Sequence, residues 1–258
     1  MPYALITGAS RGIGRAIAIE LARRKFDLLL VARSETALQS VCQEIGIQYN
    51  IKTDYLTLDL SKNDAPQRVL DWCNQKKYVV NMLVNNAGYG LSGNFESQTM
   101  ADNLNVIQLN VLAATQLCYL FLPQLKQQPK AYIMNIISTA AYQAVPKLGV
   151  YAATKAFALR LSRALSYELR GTSVSVTAVS PGATDTAFID RAQIGEKGRK
   201  AAEKVNMSPE AVAKVAVQAT LAGKTEVVVG LINKLGVLVA WLFPKWAVEK
   251  FSADLYEE

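Results

Sequence analysis

Short apolar segments rich in β-branched residues alternate along the chain with longer segments in which apolar residues recur every three or four positions. The first pattern predicts buried strands, and the second predicts helices that cover them. Most of the apolar segments show no polar alternation, which indicates burial on both faces of a parallel sheet. The predicted strands are residues 4–7, 27–32, 52–60, 82–87, 131–138, 173–180 and 225–230.

The spacing of these segments favours one domain. No internal repeat, low-complexity tract or linker rich in Pro, Gly and Ser interrupts the 258 residues. We therefore predict a single α/β domain over residues 1–258, built as a Rossmann-like doubly wound parallel sheet of seven strands. The first strand begins almost at once, so we expect no cleaved signal peptide and a cytoplasmic location.

The composition removes several kinds of chemistry. Because the chain contains no histidine, a Ser-His-Asp triad, a Cys-His pair and an imidazole-bound metal are excluded, and proton transfer must use Tyr, Lys, Asp, Glu or Cys. Three widely spaced cysteines without a CxxC pair favour a reducing compartment and indicate no zinc site. The net charge of +7 is mostly scattered, and without a stacking aromatic array or recognised module we expect no nucleic-acid binding.

A glycine-rich turn, GASRGIG, follows the first predicted strand directly and opens a predicted helix. Gly8, Gly12 and Gly14 lack a Cβ, so the main chain can approach a pyrophosphate and the helix can pack tightly on the strand. The N-terminus of the helix adds unpaired N–H groups and a partial positive charge. The turn therefore indicates a dinucleotide site, with a purely structural turn as the alternative.

This turn, in the context TGASRGIG, resembles that of the short-chain dehydrogenase/reductase family. The resemblance extends over most of the chain through Asp59 in LDL, NNAG at 85–88, Asn110 in a predicted helix, Ser138 ahead of YAATK at 151–155, and PGATDT at 181–186. It implies a nicotinamide cofactor, a strand order of 3-2-1-4-5-6-7, and a catalytic set of Asn110, Ser138, Tyr151 and Lys155. The cofactor-binding residues that it implies are Gly8, Ser10, Arg11, Gly12, Ile13, Gly14, Arg33, Asp59, Asn86, Ala87, Gly88, Tyr151, Lys155, Pro181, Gly182, Thr184 and Thr186.

Tyr151 and Lys155 are four residues apart in a predicted helix and therefore share one face. A tyrosine has an ordinary pKa of about 10, and proton exchange near neutrality needs a shift of roughly 3 units, which a nearby ammonium group favours. Tyr151 is thus the predicted general acid that protonates a carbonyl oxygen as hydride arrives. By the resemblance, Ser138 holds that carbonyl, Lys155 bonds the nicotinamide ribose, and Asn110 anchors a water in the proton relay.

The segment VARSET bears on the choice of nucleotide. It ends the second predicted strand, where a dinucleotide-binding fold often carries an acidic residue for the adenosine ribose. An acid in place of Ala32 would repel a 2′-phosphate, whereas a small residue leaves room and Arg33 offers it a planar guanidinium. With Arg11 approaching from the other side, we predict a preference for NADP(H). An exposed arginine that starts a helix is the alternative for Arg33.

Two segments near the C-terminus have no assigned chemistry. Residues 187–208 contain a basic stretch and two glycines, Gly195 and Gly198, and are either a substrate lid or an ordinary surface helix. An apolar helical extension is predicted over residues 231–250, with a stripe that must be covered. Burial in the core or in a subunit interface is favoured over a long apolar substrate or a membrane surface.

We therefore predict an NADP(H)-dependent oxidoreductase that interconverts a small-molecule carbonyl compound and an alcohol. The alternatives are a catalytically silent NADP(H)-binding scaffold protein and a lipid ketone reductase at a membrane surface. A homo-oligomer, dimer or tetramer, is expected, because the helices around 105–122 and 151–170 resemble those that pair subunits in many relatives.

Overall fold

The computed structural model describes residues 2–184, 192 and 195–256 of the chain. Its sheet contains seven parallel strands in the order β3-β2-β1-β4-β5-β6-β7, which confirms the predicted fold. Each crossover between neighbouring parallel strands needs a connection long enough to hold a helix, which the amphipathic segments supply. The strands are β1 (Tyr3–Thr7), β2 (Asp27–Ala32), β3 (Thr53–Thr57), β4 (Val80–Asn85), β5 (Ala131–Ile136), β6 (Val174–Ser180) and β7 (Glu226–Val228).

Helices cover both faces of this sheet. One face packs against α1, α2 and α8, and the other packs against α3, α5 and α6, so two apolar cores lie on either side of the strands. Burial on both faces explains why β2, β4 and β5 are buried along their whole length. The helices are α1 (Gly12–Arg23), α2 (Glu35–Tyr49), α3 (Ala65–Gln75), α4 (Met100–Ile107), α5 (Ala114–Lys126), α6 (Gly149–Glu168), α7 (Glu196–Val205), α8 (Pro209–Leu221), α9 (Leu231–Leu242) and α10 (Lys245–Tyr256).

Several strands end earlier than the apolar pattern predicts. The strand predicted to reach residue 87 stops at Asn85, because the Asn86 side chain turns to the end of β1 and donates through Nδ2 to Thr7 O at 2.9 Å. The last strand stops at Val228, and Gly230 follows it with a φ of +90°, a conformation that closes the strand. The apolar residues beyond each end therefore belong to loops at the sheet edge.

The predicted extension over residues 231–250 is two helices. α9 ends at Leu242 and α10 begins at Lys245, with Phe243 extended before Pro244 because proline disfavours a helical residue ahead of it. The prediction that the apolar stripe is buried in the core of the chain is wrong, since Leu235 and Leu242 on α9 are 62% and 60% exposed.

Among the described residues, one helical stretch, Met100–Lys126, is long and apolar enough to cross a membrane by length and composition alone. It comprises α4, a π-helical turn and α5. Phe121 and Leu125 in this stretch are fully buried in the core on one side of the sheet.

Candidate active site

The glycine turn lies at the carboxyl end of β1, where open α/β sheets bind their ligands. Gly8 and Gly12 have φ values of +64° and +56°, which glycine adopts without strain. A Cβ at Gly8 would lie 2.8 Å from Asn86 Nδ2, so the neighbouring strand approaches too closely for any side chain. α1 begins at Gly12, and its first N–H groups have no partner inside the helix. The turn thus forms an anion-binding cradle of the kind that holds a pyrophosphate.

Thr7 ties this cradle to the next strand. Its hydroxyl donates to Val84 O at 3.1 Å and accepts from Asn86 N and Ala87 N at 2.9 and 3.0 Å. The side chain is 1% exposed, so each of these bonds is made away from water. Thr7 was not predicted as a site residue, and only its polarity at the end of an apolar strand signalled it.

Ala32 and Arg33 lie beside the cradle. Ala32 ends β2 and is nearly buried, whereas Arg33 is exposed and lines the same cavity as the glycine turn. Burial acts to raise the pKa of Asp59, but hydrogen bonds from Ser61 N and Oγ, with the charges of Arg33 and Lys62, lower that pKa overall. Asp59 is therefore a carboxylate that faces the Arg33 guanidinium.

Lys155 and Tyr151 lie together on α6. The ammonium Nζ of Lys155 donates to Ile136 O at 2.8 Å and lies 5.7 Å from the centre of the Tyr151 ring. Lys155 is 6% exposed, and this burial lowers the pKa of its ammonium group from 10.5 to about 8. The structure thus places one cation, largely protonated at neutral pH, on the ring face of the predicted general acid.

Ser138 follows β5 by two residues and lines the same cavity as Tyr151 and Lys155. Its hydroxyl accepts a hydrogen bond from Ala140 N at 3.2 Å and caps the short 3₁₀ turn Thr139–Tyr142. A hydroxyl that accepts one bond still has a proton to donate. Ser138 can therefore donate to a carbonyl oxygen in the cavity.

Asn110 lies in the π-helical turn Gln108–Ala113, a helix irregularity that is common at functional sites. Its Nδ2 donates to Tyr89 O at 2.8 Å and to Thr154 Oγ1 at 3.1 Å, while its Oδ1 accepts from Tyr89 N at 3.1 Å. Thr154 Oγ1 in turn donates to Tyr151 O. The side chain does not line the main cavity and instead joins the loop after β4 to the helix of Tyr151. Neither Tyr89 nor Thr154 was predicted.

Gly90, also missed by the sequence reasoning, lies against the ring of Tyr151. A Cβ at Gly90 would lie 2.8 Å from Tyr151 Cγ and 2.9 Å from Cδ2. The loop after β4 therefore fixes the position of the ring from one side, and a glycine is the residue that leaves room for it.

The segment after β6 approaches the site from the other side. The φ of Gly182 is not in the left-handed region, so its conformation does not require glycine. The glycine is needed for space, because a Cβ would lie 2.5 Å from Asn233 Cγ. Thr184 Oγ1 donates to Gly182 O at 3.1 Å. Thr186 lies outside the described residues.

Part of the predicted lid, residues 187–191, 193 and 194, also lies outside the described residues. Ala192 is buried, and its carbonyl accepts from Ser92 N at 2.8 Å. α7 begins after Gly195. The function of this segment as a lid stays a prediction, as does subunit pairing through α5 and α6, where Tyr119 and Tyr167 are exposed apolar side chains.

One cavity of about 1040 Å³ joins these parts of the molecule. It runs from the glycine turn past Ser138, Tyr151 and Lys155 to the inner sides of α9 and α10. Asn110 and Gly14, also predicted as site residues, do not line it. The predicted site residues that line it are Gly8, Ser10, Arg11, Gly12, Ile13, Arg33, Asp59, Asn86, Ala87, Gly88, Ser138, Tyr151, Lys155, Pro181, Gly182 and Thr184.

Residues 2–197 match the model of a family described as short chain dehydrogenase. Hydroxysteroid dehydrogenase-like protein 1 of Gallus gallus is 30% identical over 198 residues, which are 76% of this chain and 59% of that protein. The ketoacyl reductase HetN of a Nostoc species is 30% identical over 227 residues, or 87% of this chain and 77% of that protein.

A solved structure is also similar. A short-chain dehydrogenase from Sphingobium yanoikuyae, in complex with NADPH, superposes with a TM-score of 0.83 at 31% identity. The superposition covers 93% of this chain and 91% of the other.

Proposed function

The chain belongs to the short chain dehydrogenase family, and on that premise we propose that it is an NADP(H)-dependent oxidoreductase that interconverts a carbonyl compound and an alcohol. The observation that carries the proposal is the buried Lys155 ammonium beside the Tyr151 ring, in a cavity that Ser138 and the glycine turn also line. The NADPH complex of the Sphingobium protein and the name of the Nostoc relative support it.

The cradle fits a dinucleotide, because Gly8 and Gly12 line it without side chains and α1 begins there with unpaired N–H groups. The residues proposed to hold the cofactor are those of the glycine turn, the segment Asn86 to Gly88, and Lys155. When bound, the nicotinamide supplies or accepts the hydride. The protein's own side chains bind the carbonyl oxygen and transfer the proton.

In the direction of reduction, the Ser138 hydroxyl donates a hydrogen bond to the carbonyl oxygen and holds it near the hydroxyl of Tyr151. Tyr151 gives its proton to that oxygen as negative charge develops on it. The phenolate left behind is stabilised by the Lys155 ammonium, which burial makes more effective because few waters screen it. Asn110 positions the helix of Tyr151 through Thr154, and we assign to it the anchoring of a water that returns the proton.

The preference for NADP(H) is proposed from the residues around the adenosine end. Ala32 presents no acid, and the exposed Arg33 guanidinium lines the cavity with Arg11. Two guanidinium groups suit a 2′-phosphate, which they bind through charge-assisted hydrogen bonds.

The test is consumption of NADPH, followed by absorbance, with carbonyl substrates of graded chain length. Wild type is expected to turn over at least one of them, and Tyr151→Phe is expected to lose turnover while binding NADPH nearly as well, because the ring remains and only the transferable proton is lost. Substantial residual turnover by Tyr151→Phe would refute its role. NADPH binding without turnover of any substrate would favour the scaffold alternative.

A further inference from the structure

The last two helices carry an apolar face that the described part of the chain leaves uncovered. On a helical projection of α9, its outward residues fall on one side and continue onto the start of α10. Trp241 and Trp246 are 76% and 70% exposed. The α9–α10 face consists of Leu231, Leu235, Leu238, Trp241, Leu242 and Trp246.

The opposite side of α9 lines the cavity described above. Asn233, Val237 and Ala240 point inward, away from solvent. Ile232, Val239 and Phe243 lie between the two sides, because they line the cavity and are still about half exposed or more. These three residues form the rim of the cavity, so its mouth opens beside the α9–α10 face.

The charged residues on α9 and at the start of α10 are basic. Residues 231–247 include Lys234 and Lys245 but no Asp or Glu. Exposed tryptophans among leucines, flanked by lysines, are typical of helices that lie in the interface of an anionic lipid layer. At 12 residues α9 is well short of the roughly 20 needed to span a bilayer, so on a membrane it would have to lie along the surface.

A second copy of the chain is the competing occupant of this face. A copy seated on Leu235 and Trp241 would also cover the rim at Val239 and Phe243 and would close the cavity. A lipid surface seated on the same residues leaves the cavity open toward the phase in which an apolar substrate dissolves. The position of the rim therefore favours lipid.

We propose that the α9–α10 face docks on an anionic lipid surface and that the cavity draws a long-chain lipid carbonyl compound from it. The docking stands by itself, whereas the substrate class rests on the proposed function. The carbonyl would lie at Tyr151, and the chain would extend along Val145, Val237 and Val248, which line the cavity toward α9 and α10.

Intrinsic fluorescence tests the docking directly, since two of the three tryptophans lie on this face. The third, Trp72, lies on α3, does not line the cavity, and packs edge-on against Tyr78 at 5.6 Å. Full-length protein is mixed with vesicles of phosphatidylcholine containing phosphatidylglycerol. We expect a blue shift, quenching by brominated lipid, co-sedimentation, and weaker binding to pure phosphatidylcholine or at high salt.

The variant Leu235→Glu/Leu238→Glu keeps both tryptophans and changes no residue that lines the cavity. It should bind the vesicles at least about tenfold less tightly, since two apolar side chains no longer enter the lipid. Its turnover of a long-chain ketone dissolved in vesicles should fall by a similar factor, while turnover of a short water-soluble ketone is unchanged. The matched control is Ile47→Glu on α2, an apolar side chain that is 76% exposed elsewhere.

Absence of wild-type binding to anionic vesicles would overturn the docking, and so would an equal loss in Ile47→Glu. A smaller particle for Leu235→Glu/Leu238→Glu than for wild type by light scattering would identify the face as a subunit interface and overturn it as well. Vesicle binding without reduction of any ketone would instead refute the proposed function and leave the docking standing.

Discussion

Replacement of Lys155 by methionine should make the apoprotein more stable while abolishing turnover. Burial lowers the pKa of the ammonium group from 10.5 to about 8. At 1.36 kcal/mol per pKa unit, keeping the buried group charged at pH 7 costs about 3 kcal/mol of folding free energy. Methionine removes that cost, but it also loses the bond from the charged ammonium to Ile136 O, worth about 2 kcal/mol. We expect a net gain of about 1 kcal/mol at pH 7.

The gain should depend on pH in a defined direction. Below pH 8, Lys155 is protonated in both the folded and the unfolded protein, and the whole cost is present. Between pH 8 and 10.5 the folded protein releases the proton first, so the unfolded state binds more protons and the stability of wild type rises with pH. At pH 10 the remaining cost is below about 1 kcal/mol, so the advantage of Lys155→Met should nearly vanish.

Urea denaturation of the apoproteins at pH 7 and pH 10 measures both free energies. Both proteins carry Tyr151→Phe, which removes the neighbouring phenol whose titration depends on Lys155, and groups remote from Lys155 contribute equally to both, so their contributions cancel in the difference. Lys214→Met, at an exposed position of α8, is the matched control and should stay within about 0.5 kcal/mol of wild type at both pH values. A Lys155→Met protein that is no more stable at pH 7, or an advantage that persists at pH 10, would refute the reasoning.

Three further substitutions test other parts of the site. Arg33→Ala should raise the KM for NADPH about 10- to 100-fold without changing the KM for NADH, because it removes charge-assisted hydrogen bonds to the 2′-phosphate. Equal use of NADPH and NADH by wild type would contradict the proposed preference. Gly90→Ala should lower kcat about 10- to 100-fold with little effect on NADPH binding, because the new methyl group displaces the Tyr151 ring. The control Gly149→Ala has open space around its new methyl group and should be active. Equal activity of the two variants would count against the packing argument. Thr7→Val removes the buried hydroxyl that accepts hydrogen bonds from two main-chain N–H groups. It should lower the free energy of unfolding, measured by urea titration, by about 2 to 3 kcal/mol. A change below about 0.5 kcal/mol would show that those N–H groups find other partners.

Much of this architecture was predictable because its signals are local. Two-sided burial of a strand requires a run of apolar residues, and that run is visible without any knowledge of its neighbours. The glycine turn is equally local, because the strand, the turn and the helix are consecutive. The four-residue spacing of Tyr151 and Lys155 places them on one face of α6 whatever packs against it. The strand order and the site residues were expected from the family resemblance, and the structure confirms the strand order.

Properties that depend on contacts between segments distant in sequence were visible only in the tertiary structure. The pKa of Lys155 reflects burial beneath β5, and the need for glycine at position 90 arises from the ring of a residue 61 positions later. Thr7 acquires its role from the end of β4. The apolar pattern of α9 indicated that its side chains are covered, but it did not indicate by what. Only the folded chain shows that one side of the helix lines the cavity and the other side is exposed. Periodicity along a chain determines which residues share a face, whereas burial and contact depend on where remote segments meet.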